Sequence, residues 1–284
     1  MKLVSFVQDG RAAYGVMRGD RIVDLARHFG DRAPTLRSLL AANLLDEAAS
    51  ALAALQEDIA LDSVTLAPVI PDPGKIVCVG LNYHDHLAET GRQQTEKPLL
   101  FARWPGSQVG HGGNIVRPSV SERLDFEGEM AVVIGKGGRH IKPEDALAHI
   151  AGYSCYNDGS VRDWQSHTSQ FLPGKTFAST GGFGPWLVTA DEIPDPTVLT
   201  LSTRLNGEVM QHTTTDLMIT DIPTLIAYFS TILPLEAGDV FVTGTPGGVG
   251  AKRKPPLWMK PGDIIEVEIS QIGILRNVIV DEVL

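Results

Sequence analysis

Beyond residue 98 this chain rarely runs far without meeting a glycine or a proline, and between those breaks it carries short β-type runs. Ala131-Val132-Val133-Ile134, Trp186-Leu187-Val188, Asp239-Val240-Phe241-Val242 and Ile264-Ile265-Glu266-Val267-Glu268-Ile269 are apolar or alternating, and too brief for free-standing helices. Proline cannot donate to a sheet ladder and glycine weakens a strand interior, so both fall between strands. A single helix, predicted over Ile222–Ile232, interrupts the series. No internal repeat of solenoid length is visible. The chain is therefore expected to be α+β, predominantly β.

The first 70 residues read differently. Leu3-Val4-Ser5-Phe6-Val7, Ala13-Tyr14-Gly15-Val16-Met17 and Ile22-Val23-Asp24-Leu25 form a predicted meander, with turns at Asp9-Gly10 and Gly19-Asp20. From Thr35 to about Asp58 the Ala- and Leu-rich spacing predicts one long helix or two short ones. Pro68, Pro71, Pro73 and Gly74 then form the best linker in the chain, which divides it into a small N-terminal domain, 1–70, and a larger one, 71–284. Lys75 to Gly80 is a predicted buried strand, followed by a short helix from Asn82 to Thr90 with Asn82 as N-cap and Gly91 as its stop.

Composition removes several functions. With 24 basic against 34 acidic residues and a net charge of −10, the chain lacks the basic face that nucleic acid requires, and Lys252-Arg253-Lys254 reads as a solvated loop. Cys78 and Cys155 sit inside apolar segments, which argues against a disulfide framework and for a reducing compartment. The uncharged run Ile222 to Leu235 has only 14 residues and contains two prolines, whereas a transmembrane helix needs about 20 apolar residues. The N-terminus becomes acidic too early for a signal peptide, so a cytoplasmic protein without membrane partners is expected. Gly244-Thr245-Pro246-Gly247-Gly248-Val249-Gly250-Ala251-Lys252 lacks the Gly-Lys-Ser/Thr of a phosphate loop, and no dinucleotide fingerprint follows a strand. The tryptophans, Trp104, Trp164, Trp186 and Trp258, read as core or pocket walls.

Carboxylates carry the chemical signal. In Leu124-Asp125-Phe126-Glu127-Gly128-Glu129-Met130-Ala131 the two glutamates would share one face of a strand, about 7 Å apart along the backbone. Buried together they would need a cation or a shared proton; the same spacing also fits an edge strand with two solvated glutamates. Asp158 ends the half-apolar run Ile150–Asn157 and adds a third carboxylate. Three carboxylates without a Cys/His set make a hard oxygen site for Mg2+ or Mn2+, with Ca2+ a further occupant, and leave positions open for water or substrate. His86 and Glu89, three apart, would share a helix face, where the carboxylate could orient the imidazole; the pattern also occurs as a surface pair. Arg162, Gln165 and Lys175 follow closely and suit an anionic substrate and a developing oxyanion.

In order, Gly80-Leu81-Asn82-Tyr83-x-Asp85-His86-x-x-Glu89, Asp125-Phe126-Glu127-Gly128-Glu129, Asn157-Asp158-x-Ser160-x-Arg162-Asp163-x-Gln165, Gly174-Lys175-Thr176-Phe177, Gly184-Pro185-Trp186, Asn206-Gly207-Glu208 and Thr243-Gly244-Thr245-Pro246-Gly247-Gly248 form a specific set. From Lys75 onward the chain resembles the fumarylacetoacetate hydrolase family, in particular its compact bacterial members related to acylpyruvate hydrolases. The resemblance implies a mixed β-roll catalytic domain preceded by a small N-terminal α/β domain, and a homodimer. It implies metal ligation by Glu127, Glu129 and Asp158, and a water-activating His86–Glu89 dyad on a lid helix. It further implies oxyanion stabilisation by Lys175 and Gln165, and substrate contacts from Arg162, Arg103, Tyr83 and Thr245. Arg103 stands where relatives often carry lysine, Ala178 where many carry aspartate, and Phe126 where tyrosine or histidine is usual. These departures touch no metal ligand but leave the distal group of the substrate open.

The reading this supports is a Mg2+- or Mn2+-dependent hydrolase that cleaves a C–C bond in a 2,4-dioxo acid such as an acylpyruvate or fumarylpyruvate, giving pyruvate and a carboxylic acid. A 2-oxo diacid decarboxylase or a 2-oxo-enoate isomerase or hydratase would use the same metal–enolate chemistry. A catalytically silent metal- or metabolite-binding protein is the reading from another class, and the intact acid–base pair weighs against it.

Overall fold

The computed structural model describes residues 1–56 and 59–284. The meander forms as expected: Lys2–Gln8, Arg11–Arg18 and Arg21–Asp24 pair antiparallel. Asp9 and Gly10 both take positive φ, 50° and 78°, as a two-residue hairpin turn requires. The helical stretch becomes two short helices, Leu36–Ala41 and Leu45–Ala51, because Asn43 enters the left-handed region at φ 54° and ends the first. Thr35 and Ser38 cap that helix reciprocally. The expected end near Asp58 lies outside the described residues.

The meander is joined to the rest of the chain. Lys2–Gln8 pairs antiparallel with Gly181–Thr189, and the large sheet continues through Ile150–Asp158, Gly128–Ile134, Val240–Val242 and Ile76–Gly80 to Leu99–Ala102. The proline-rich connection is itself packed: Val69 and Ile70 are buried, and Ser5 Oγ donates to the Val69 carbonyl at 2.8 Å. A second sheet orders Glu208–Thr214, Thr200–Leu205, Ile264–Ile269, Gly273–Asp281 and Asn114–Arg117.

Burial explains the run patterns. In Gly128–Ile134, Ala131 and Val133 face a core cluster with Leu36, Leu39 and Leu40, whereas Met130, Val132 and Ile134 face another with Leu201, Ile226 and Val267. Both faces are covered, so the strand is continuously apolar. In Ile264–Ile269 every second residue is buried, and its sequence alternates. The Ile222–Ile232 helix forms as predicted, with Asp221 capping Thr224 N–H. Both cysteines are buried and free. Trp104 is 57% exposed, a correction to its expected place in a core or pocket wall. Among the described residues no helix is long and apolar enough to cross a membrane.

Candidate active site

Two neighbouring strand ends build the acidic centre. Gly128–Ile134 and Ile150–Asp158 are in register with Gly128 opposite Asn157 and Glu129 opposite Tyr156. Glu127 lies just before the first strand, where its N–H donates to Asn157 Oδ1 at 3.0 Å and its carbonyl accepts from Asp158 N–H at 2.8 Å. The register brings carboxylate oxygens of Glu127, Glu129 and Asp158 within 4.8 Å of one another, all three residues buried. The solvated-edge alternative is thereby removed.

Cations surround the triad unequally. Lys175 Nζ donates to Glu127 Oε2 and Asp158 Oδ2, each at 2.6 Å, and Arg162 Nη1 meets Glu127 Oε1 at 2.7 Å. Arg103 Nη1 meets Asp158 Oδ1 at 2.5 Å. Glu129 has no cationic partner among the described residues; its Oε2 accepts one bond, from Gly244 N–H at 2.5 Å. Burial raises the Glu127 pKa, but Lys175 and Arg162 outweigh it and hold the group down to about 2. For Glu129, burial and then the negative charges of Asp158 and Glu127 push the pKa well up. Burial works against the Lys175 ammonium, yet Asp158 and Glu127 hold its pKa above the ordinary lysine value. A buried, all-oxygen triad with one carboxylate lacking an ion pair fits a divalent cation.

The glycine-rich segment is a cradle for the protein's own carboxylates. Gly244 N–H binds Glu129, Gly248 N–H binds Glu89 Oε2 at 2.9 Å, and Gly250 and Ala251 N–H bind Asp125 at 2.8 and 3.0 Å. Successive backbone N–H groups make such anion-accepting concavities. Several of its glycines are required sterically. Gly244 has φ 101°, and a Cβ on Gly250 would lie 1.9 Å from the Leu257 carbonyl oxygen.

Above the triad lies a cavity of about 520 Å³. Its walls include Glu127, Glu129, Lys175, Arg162, Gln165, Thr245 and His86. The His84–Thr90 helix carries His86, whose Nδ1 lies 2.7 Å from Glu89 Oε1. A carboxylate only accepts, so Nδ1 carries the proton and Nε2 is left as the acceptor. Gln165 Oε1 accepts from Arg162 Nη1 at 2.9 Å, which assigns the amide orientation and leaves its NH2 as the donor. Arg162 Nη2 is buried without a hydrogen-bond partner.

Not every expected residue reaches the cavity. Arg103 is 1% exposed and sits behind Asp158, where Gly159, Thr180 and Ser107 take its remaining donors. It supports a carboxylate instead of lining the cavity. Tyr83 is buried at the start of the His84–Thr90 helix and also lies off the cavity wall, its hydroxyl unpartnered. Asp158 and Glu89 are likewise absent from the cavity wall. Thr245 reaches the wall, but its hydroxyl is tied to Gly128 O and Gln211 Nε2 at 3.0 and 2.8 Å. Asn82 is not the helix cap: Tyr83 takes that position without a side-chain bond. The Asn82 amide instead clamps Thr220 and the Thr243 carbonyl.

Two supporting residues were not singled out from the sequence. Asp125, fully buried, accepts from Arg162 Nε at 2.7 Å as well as from the glycine-rich loop. Gln211 accepts from Gly128 N–H between the two glutamates at 2.9 Å. Asp125 stood in a quoted motif, an acid two residues before Glu127; Gln211 left no local signal.

Residues 75–280 match the family described as Fumarylacetoacetate (FAA) hydrolase C-terminal. The chain is 38% identical to an oxaloacetate tautomerase of Xenopus laevis, fahd2, mitochondrial, over 99% of this chain and 90% of that protein. Among solved structures it superposes on a fumarylacetoacetate hydrolase of Exiguobacterium antarcticum with a TM-score of 0.81 and 37% identity, covering 99% of this chain and all of the other. A maleylpyruvate hydrolase of Sphingobium sp. SYK-6, solved with manganese(II) and pyruvate, gives a TM-score of 0.83 and 29% identity over the whole of both chains.

Proposed function

The chain belongs to the fumarylacetoacetate hydrolase family, and from that premise we propose that it is a divalent-metal-dependent keto–enol isomerase of a small 2-oxo acid, oxaloacetate being the first candidate. The observation that carries this is Glu129, a buried carboxylate without a counter-charge beside two others, on the wall that also presents His86. Glu127, Glu129 and Asp158 would hold Mg2+ or Mn2+, which when bound supplies a Lewis acid for the 2-oxo acid group.

The protein's own groups then divide the work. His86 Nε2, with Nδ1 anchored on Glu89, takes the proton from the carbon next to the carbonyl and delivers it to the former carbonyl oxygen, ketonisation being the reverse; a positioned base of this kind contributes about 10² to 10⁴ in rate. Gln165, its Oε1 fixed by Arg162 Nη1, donates its NH2 to oxygen bearing developing charge. Lys175 holds Glu127 and Asp158 in place through its two 2.6 Å contacts. The identity to oxaloacetate tautomerases supports the choice of reaction.

Acylpyruvate hydrolysis is the second reading. The His86–Glu89 pair favours it, because that pair can equally deprotonate water, and so does the likeness to the maleylpyruvate hydrolase. Enol-oxaloacetate decay, followed by ultraviolet absorbance with and without EDTA, tests the first reading, alongside pyruvate release from acetylpyruvate and fumarylpyruvate. Accelerated ketonisation that EDTA abolishes is expected. Pyruvate release without accelerated ketonisation would replace isomerisation by hydrolysis, and carbon dioxide release from oxaloacetate would make it a decarboxylase.

A further inference from the structure

The glycine-rich loop has to be held in shape by its surroundings, because glycine fixes little backbone geometry of its own. Both ends of the loop are tied down. Gly244 N–H meets Glu129, the Pro246 carbonyl accepts from Gln211 Nε2 at 2.9 Å, and Gly250 and Ala251 N–H meet Asp125. Gly248 stands between those ties at φ 104°, and its N–H is the one that holds Glu89.

Arg253 closes this middle section. Its Nε donates to the Gly248 carbonyl at 3.1 Å and its Nη2 to the Met210 carbonyl at 2.8 Å. Gly248 rests on that second carbonyl, since a Cβ on it would lie 2.3 Å from the Met210 oxygen. The planar guanidinium therefore spans two carbonyls with the glycine set against one of them, a fork that a lysine ammonium does not reproduce. The run Lys252-Arg253-Lys254 reads in sequence as a solvated loop, and both lysines are exposed, but Arg253 is half-buried. It is also absent from the cavity wall that Lys252 reaches, so its head is not placed to receive substrate.

From Gly248 an unbroken chain of contacts leads to His86. Gly248 N–H donates to Glu89 Oε2 at 2.9 Å, and Glu89 Oε1 lies 2.7 Å from His86 Nδ1. Among the described residues each Glu89 oxygen has that one partner. A turn of the Gly248 backbone would free one oxygen and leave the carboxylate that orients the imidazole without its anchor.

We propose that Arg253 is a positioning residue for the His86–Glu89 pair: it holds Gly248 so that its N–H fixes Glu89, and Glu89 in turn orients His86. This rests on His86 being the base of the proposed reaction. A pre-set orientation costs no reorganisation at the moment of reaction, so its loss falls on turnover more than on substrate binding.

Arg253→Lys and Arg253→Gln test this beside the wild type. Three quantities are read: ketonisation kinetics of the Mn2+-loaded proteins, urea midpoints, and amide hydrogen exchange at Gly248 in the metal-free proteins. Both variants are expected to lose about tenfold in kcat with KM near wild type, and to exchange the Gly248 N–H about tenfold faster. A wild-type kcat with a lowered urea midpoint overturns the proposal, because a purely structural contact gives that result. So does a KM raised in Arg253→Gln and restored in Arg253→Lys, which would make Arg253 a long-range attractor of an anionic substrate. Unchanged Gly248 exchange in both variants also rules it out. An inactive wild type, or a His86→Asn variant with full kcat, would instead reject the reaction or the base on which this role rests. That failure is told apart because Gly248 exchange is read without metal or substrate.

Discussion

Glu127 and Glu129 stand two residues apart and meet opposite environments. Glu127 is held by Lys175 and Arg162, whereas Glu129 has one backbone N–H. Charges within 4.8 Å repel by about 3 kcal/mol at an effective dielectric of about 20. In the metal-free protein that repulsion falls on Glu129. Glu129→Gln should therefore leave metal-free stability unchanged or higher in urea unfolding, while weakening Mn2+ binding at least tenfold. A destabilised variant with unaltered Mn2+ affinity would mean the side chain is structural and not a ligand. The two-residue spacing was legible as a shared face; which glutamate lacks a cation was not, because Lys175 arrives from another segment.

Elements are joined at this site by carboxylates that accept backbone N–H groups. Asp125 ties the glycine-rich loop to Arg162, so removing it strands the Gly250, Ala251 and Phe126 N–H groups and the Arg162 Nε, although Glu127 still holds the guanidinium. Breaking a buried pair from one side typically costs about 3 kcal/mol or more. Asp125→Ala should show that loss in urea midpoint, together with weaker substrate binding through Arg162. A midpoint near wild type would show that the loop holds itself. At another junction His111 accepts from Arg276 N–H at 3.1 Å and joins Gly273–Asp281 to the turn before Asn114–Arg117. Burial, then the Arg276 charge, lower its pKa from 6.5. The unfolded chain thus binds the proton first as pH falls. The contribution of His111 is present above about pH 6.5 and is lost as pH drops toward its folded pKa. Comparing urea midpoints at about pH 7.5 and about pH 5.5, His111→Gln should lose less stability on acidification than wild type; an equal or larger loss would assign the acid sensitivity elsewhere.

At the scale of the molecule, the N-terminal meander and the segment bearing the site share one sheet and one core. Leu36, Leu39 and Leu40 pack with Ile76, Ala131, Val133 and Val240, and Lys2–Gln8 hydrogen-bonds to Gly181–Thr189. A chain shortened to residues 71–284 would expose that face and a bare strand edge. It should lack a cooperative thermal transition by circular dichroism and aggregate on gel filtration. A fragment that melts cooperatively near the full chain would establish an independently stable unit. The proline cluster marks where the chain changes character, yet Val69 and Ile70 are buried there, and composition alone does not report such packing.

Local features follow from the order of residues alone: strands between glycine and proline breaks, Glu127 and Glu129 directed together, His86 and Glu89 one helical turn apart, and a family pattern specific enough to name. These follow from spacings of two to four residues, where backbone geometry leaves little choice. Tertiary structure alone decided the partners. Lys175 and Asp158 are 17 residues apart, Glu89 and Gly248 159, and Glu129 and Gly244 115. It placed Arg103 behind Asp158 and turned Asn82 from a cap into a clamp. Such meetings depend on sheet order and register, which cooperative burial of the whole chain selects and no local window contains.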